Sequence, residues 1–129
     1  MKLRPRRLLF MTRHDPLVRL RHMLDHAREA VEMQRARVRE DLDDDRQFAL
    51  ALTHVVEIVG EAASQVSPVC QAQYTSIPWP KIMNMRHRLI HGYDMVDYDI
   101  LWDTIAQDFP LLISELEKII PKSPRQSFP

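Results

Sequence analysis

The chain has 129 residues, 45% of them hydrophobic and 28% charged, with two glycines, seven methionines and a single cysteine. That length bounds one domain around one core, and so little glycine favours helices over strands and their turns. Cys70 alone excludes an intrachain disulfide and suits a reducing compartment, and no apolar run approaches the roughly 18 residues of a membrane span.

Eighteen basic residues balance eighteen acidic ones, but unevenly. Residues 1–14 hold Lys2, Arg4, Arg6, Arg7 and Arg13 without an acid, which leaves 13 basic and 18 acidic residues in 15–129, a net charge of −5. An acidic body argues against broad, non-specific nucleic-acid binding, which needs many phosphate contacts. Any RNA contact is expected to be local, at Arg86-His87-Arg88. The apolar part of the leader, Leu8-Leu9-Phe10-Met11, is too short for a signal-peptide core. Residues 1–14 read as a nucleic-acid arm, a disordered tail or a start-site artefact. The last two are favoured because nothing there repeats or pairs with a periodic segment and Met11 is an equally good first residue. A soluble, cytoplasmic protein is expected.

Asp15-Pro16 predicts a helix start, with Asp as N-cap and Pro at the first position, where its missing N–H costs nothing. Leu17, Leu20, Leu24, Ala27 and Val31 then follow helical spacing, and a first helix is expected to about Arg39. His22 and His26 lie four apart, a spacing that superficially matches a zinc-binding helix. Zinc chemistry needs a third ligand and a base, none stands out, and the pair reads as a solvated face. Glu40 to Asp45 reads as an acidic loop that also caps the next helix.

A second helix is expected over 44–66, with Phe48, Leu52, Val55, Val56, Val59, Ala62, Ala63 and Val66 on its apolar face. His54, Glu57 and Glu61 run along its margin. They form either an exposed polar stripe or a set in which Glu57 or Glu61 faces the next long helix and orients Arg86 or His91. Gly60, which permits close helix approach, inclines towards the second. Ser67-Pro68 caps a short helix to Gln73, and Ile77-Pro78-Trp79-Pro80 is stiff and extended before another helix from about Pro80.

That helix carries an apolar stripe (Trp79, Ile82 or Met83, Met85, Leu89) beside Arg86, His87, Arg88, His91 and Tyr93. Gly92 is the expected left-handed stop, which would leave His91 at the helix end. Asp97 is the expected N-cap of the last helix. Within it Trp102, Ile105, Phe109, Leu112, Leu116 and Ile119 form a bundle seam, and Pro110 should kink it. No strand signal is present, and from Pro121 the composition is that of a frayed tail. The sum is an all-α, antiparallel four- to five-helix bundle over 15–120, with a flexible 121–129.

Cleaving RNA without a metal needs a group that moves protons at the 2′- or 5′-oxygen, and histidine, titrating near neutrality, suits it. It also needs a cation that stabilises the phosphorane, and the arginine fork suits that. Arg86 and His91 are five apart, about 140° on a continuous helix. They converge only if the helix ends near Ile90 or if two chains share one cleft. On the residues alone, cations at a helix end are also an ordinary solvated cap.

Arg86-His87-Arg88-Leu89-Ile90-His91-Gly92-Tyr93 fits R-x4-H-x-Y and resembles the HepT-like branch of the HEPN ribonucleases. Three further blocks agree in order: Glu57-Ile58-Val59-Gly60-Glu61-Ala62-Ala63, Ile77-Pro78-Trp79, and Val96-Asp97 through Trp102-Asp103 to Asp108-Phe109-Pro110. The resemblance covers about residues 15–120. It implies the toxin half of a type VII-like toxin–antitoxin pair, a metal-independent RNA endonuclease without a cofactor, acting as a homodimer with its cleft at the interface. Arg86 and His91 become the catalytic pair, with His87, Glu57 and Glu61 in support. Many relatives have asparagine where His87 stands. Tyr93 matches the tyrosine that an MntA-like minimal nucleotidyltransferase antitoxin modifies with AMP. The alternative is a non-catalytic helical subunit that binds such a nucleotidyltransferase or a nucleotide.

Overall fold

The computed structural model describes residues 15–91 and 95–121, and the expectations for 1–14, for Gly92 and Tyr93, and for the tail from Lys122 lie outside them. The chain is mostly helical, as its composition predicts. Helix α1 spans Pro16–Arg35, with the Asp15 carboxylate accepting from the Leu17 N–H at 2.9 Å. Leu20, Leu24 and Ala27 are buried as their spacing predicts, joined by Met23 and Ala30.

The helix ends at Arg35, short of the expected Arg39, because the basic residues beyond it turn the chain instead of extending it. The Arg37 guanidinium lies 4.2 Å from the Phe48 ring centroid and 3.2 Å from Asp45. Arg39 reaches Asp43 at 3.1 Å and Asp99 at 2.7 Å. The acidic loop expected at 40–45 contains a one-turn helix, α2 (Asp41–Asp44), which places Leu42 in the core.

Helix α3 (Arg46–Ser64) starts at Asp45, whose carboxylate accepts from the Phe48 N–H at 3.1 Å. Its expected apolar face is buried, and α1 packs along it. Ser67 caps α4 (Pro68–Gln73) through the Cys70 N–H, and burial pushes the Cys70 thiol pKa up.

The segment expected as one helix from Pro80 to Gly92 is two short ones, α5 (Trp79–Met83) and α6 (Met85–Leu89), divided at Asn84, a weak helix former. Both pack on α3. Gly60 makes that approach possible: a Cβ there would stand 3.2 Å from the Ile82 carbonyl oxygen and 3.5 Å from the Met85 side chain. Helix α6 stops at Leu89, before Gly92. The Leu89 carbonyl accepts from the Asp97 N–H at 2.7 Å, and Ile90 is already extended, with φ −105° and ψ 115°.

Strands β1 (Ile90–His91) and β2 (Met95–Val96) pair antiparallel, Ile90 opposite Val96 and His91 opposite Met95. This hairpin corrects the expectation of no strand. Two-residue strands are too short to leave an alternating pattern in a sequence.

The Asp97 side chain accepts from the Ile100 N–H at 3.0 Å and so caps α7 (Tyr98–Asp103). A π-helical turn, Thr104–Asp108, joins it to α8 (Phe109–Ile119). The widened turn lies just before Pro110, where a disturbance of the helix is expected. Pro110 has no N–H for the carbonyl four residues back, and its ring would crowd that oxygen. The Phe109 N–H donates to Thr104 five residues back, so the helix loosens where the proline needs room. Ile105, Phe109, Leu112 and Leu116 stay in phase and buried, while Trp102 and Ile119 are only partly covered and Leu101 joins the core. No helix among the described residues is long and apolar enough to cross a membrane.

Candidate active site

The site is built where α6 gives way to the hairpin. Met85 and Leu89 are buried against the core, which turns the residues between them outward. Arg86 and His87 are exposed, while Arg88 is partly buried, with Nη1 covered and unpartnered. The Arg86 side chain keeps 78% of its surface exposed, and its Nε lies 3.6 Å from Oε2 of Glu57 on α3. Of the two carboxylates proposed as supports, Glu57 is the one that reaches Arg86. Glu61 accepts from Gln65, the residue that follows its helix, at 3.1 Å, yet lines a small hollow of about 150 Å³ together with Glu57, Arg86 and His87. His87 makes no hydrogen bond or ion pair among the described residues.

His91 stands beyond the last helical residue, in the extended strand β1, so the helical rotation that would separate it from Arg86 does not apply. Its Nε2 lies 3.5 Å from Oδ2 of Asp97. Asp97 therefore serves three ends. Its N–H closes the hairpin onto Leu89, one carboxylate oxygen caps α7, and the other faces His91. A proton carried on Nε2 would face this carboxylate and leave Nδ1 as the acceptor.

Sequence reasoning assigned Asp97 only the cap. A capping carboxylate has a second oxygen, and a histidine six residues earlier was the signal, but their meeting depends on β1 pairing with β2.

Arg86 and His91 thus each have a carboxylate partner, on different elements. Arg86 lines a second, larger groove of about 380 Å³ along α3, of which His91 is not a lining residue. Elsewhere, His22 is exposed, and His26 contacts Glu29 on the same helix at 3.0 Å. Among the described residues no group of three or more histidine, cysteine or acidic side chains converges as a metal site would.

Comparison with known proteins gives this geometry a family. The family model described as Ribonuclease HepT-like matches residues 23–119. The chain belongs to the HepT-like ribonuclease family. A relative from Caldanaerobacter subterraneus, provisionally named an RNase, is 31% identical over 103 residues, covering 80% of this chain and 92% of its own. A protein of Thermococcus cleftensis named as the probable ribonuclease HepT is 35% identical over 80 residues, 62% of this chain and 73% of its own. A third, from Methanocaldococcus jannaschii and also provisionally named an RNase, is 25% identical over 107 residues, 83% of this chain and 98% of its own. No solved structure matches the chain.

Proposed function

We propose that this HepT-like chain is a metal-independent RNA endonuclease and the toxin half of a toxin–antitoxin pair. The observation that carries the reading is the release of His91 from helix α6 beside Asp97, with Arg86 standing exposed on the last turn before it.

In this reading Arg86 holds the non-bridging oxygens of the scissile phosphate. Its Nε contact with Glu57 steadies the side chain and leaves the two Nη nitrogens for the phosphate. His91 moves the proton. As base, Nδ1 takes the 2′-hydroxyl proton, the 2′-oxygen bonds to phosphorus, and the bond from phosphorus to the 5′-oxygen breaks. The leaving 5′-oxygen takes its proton from a solvent water, which the imidazolium then reprotonates, and the products are a 2′,3′-cyclic phosphate and a 5′-hydroxyl. The imidazolium formed is stabilised by Asp97. His87 and Glu61, beside Arg86, shape the approach without touching the reacting atoms.

Two chains are proposed to act as a homodimer, which brings a second Arg86–His91 segment to the same cleft. Tyr93 is proposed as the point of control by an MntA-like nucleotidyltransferase. An AMP group there adds an anionic phosphate and a base two residues from His91, which repels RNA and blocks the cleft.

A second reading is a non-catalytic partner of such a nucleotidyltransferase. The standing of a carboxylate beside each of Arg86 and His91 favours it, since each acid places negative charge where RNA would approach. Expression of wild type against His91→Ala separates the two. The nuclease reading expects growth arrest and RNA loss with wild type alone, relieved by the nucleotidyltransferase together with a mass gain of one AMP on Tyr93. Equal growth and intact RNA with both proteins, while each still binds the nucleotidyltransferase, supports the partner reading.

A further inference from the structure

Arg86 stands between two grooves of unlike charge. The smaller carries Glu57 and Glu61. The larger, about 380 Å³, follows α3 from Arg46 to Glu57 and contains a second arginine with Glu57 as its only acid. Eleven residues of helix set Arg46 about 16 Å from Glu57 and the Arg86 beside it. Between them the wall is mainly apolar: Leu50, Ile90, Val96 and Tyr98 line it, with Thr53 and the exposed His54 as its polar members.

Leu50 is 54% exposed, a large apolar side chain on the solvent face of α3. Arg46, unlike Arg37 and Arg39, makes no ion pair among the described residues. A cation at each end of a mainly apolar, aromatic-edged trough is the pattern that takes a single nucleic-acid strand, with phosphates on the arginines and base faces on the wall. Glu57 and Arg86 line both grooves, so Glu61 on one side and Arg46 on the other set the path: an anionic strand reaching Arg86 is repelled from the Glu61 side and admitted on the Arg46 side.

We propose that this groove is the track for single-stranded RNA leading to the reaction centre. Arg46 holds a phosphate a few nucleotides from the one at Arg86, and Leu50 and Tyr98 form the shelf for the bases between. The inference rests on the nuclease reading and adds the path and polarity of the substrate. Duplex RNA does not fit it, because paired bases present no free face to the shelf.

The test is binding of a fluorescein-labelled, mixed-sequence RNA hexamer with 2′-O-methyl groups, which cannot be cut by 2′-oxygen attack, to the full chain at several salt concentrations. Arg46→Gln should weaken binding about fivefold and flatten the dependence of log K on log salt by about 0.7, one single-strand phosphate contact. Leu50→Glu should weaken it further, and Leu50→Lys should bind at least as well as wild type. Arg35→Gln, on α1, sets the cost of removing a surface charge elsewhere.

Wild-type cleavage of unmodified RNA, with Arg46→Gln and Leu50→Glu binding the hexamer as tightly as wild type, overturns the track and leaves the nuclease reading standing. Failure of wild type both to bind and to cut overturns both. Conversion of a dimer to a monomer by Leu50→Glu in sedimentation assigns the groove to a second copy of the chain and also overturns the proposal.

Discussion

His91 meets Asp97 through backbone events on both sides of it. Leu89 ends its helix by accepting from the Asp97 N–H, and Ile90 turns extended to pair with Val96. The carboxylate that caps α7 is thereby held 3.5 Å from the imidazole. The two tasks of Asp97 can be separated by substitution, since serine and asparagine cap a helix about as well as aspartate. Asp97→Asn keeps the cap and removes the charge, and Asp97→Ser keeps the cap and removes the reach. Both variants should melt close to wild type while cutting RNA roughly ten- to a hundredfold more slowly, the usual loss when the partner that orients a functional histidine is removed. Melting and cleavage rate measured on the same preparations check this. A fall in both together would mean that Asp97 is a cap and nothing more.

At the scale of elements, the contact of α3 with α5 and α6 sets where Arg86 stands. Gly60 has no room for a branched side chain, because the nearest atom to its missing Cβ is a backbone oxygen that cannot rotate away. Gly60→Val should cost about 1–3 kcal/mol by overpacking, read in a denaturant melt, and should reduce cleavage by shifting Arg86 from Glu57.

Helix ends add a pH dependence. The hydrogen bond from the Phe48 N–H, then the Arg37 guanidinium, hold the Asp45 carboxyl below the usual carboxylate range. Lys118 and Ser76 do the same for Glu115. A carboxyl whose pKa is lower folded than unfolded stabilises the fold above its unfolded pKa and stops doing so as pH falls through the folded one. The melting temperature should therefore be level above about pH 5 and decline below about pH 4. Asp45→Asn, which retains a cap, should make that decline shallower.

These elements also show what a sequence carries. Local rules were enough for Asp15, Ser67 and Asp97 as caps, for a cap somewhere within 40–45, and for the buried faces of α1, α3 and α8, because caps and periodic faces are written in adjacent residues. The end of α6 at Leu89 was not legible, since it depends on a hydrogen bond to a residue eight positions later. Nor was the π turn. Pro110 announced a disturbance, but whether a helix bends or widens is decided by what packs on either side of it. Glu57 was identified as one of two candidates, and only the approach of α6 at Gly60 separates it from Glu61.

For the whole molecule, one core joins the described helices, and the candidate groups Arg86 and His91 lie outside it on a helix end and a hairpin. Arg86 and His91 keep 78% and 58% of their side-chain surface, an exposure that a buried structural ion pair would not show. The charge distribution fits a local contact with RNA: the body is acidic, and its cations are mostly tied to acids, as at Arg28–Glu117, Arg37–Asp45 and Lys81–Asp108.

The measurement that tests the central claim most directly is cleavage of a single-stranded RNA by the purified chain in excess EDTA, wild type beside His91→Ala, with the product ends identified. The account predicts that wild type cuts and leaves 2′,3′-cyclic phosphate ends, and that His91→Ala, folded and with the same oligomeric state, loses at least a hundredfold in rate. Equal cleavage by both proteins, or cleavage by wild type that EDTA abolishes, would contradict it.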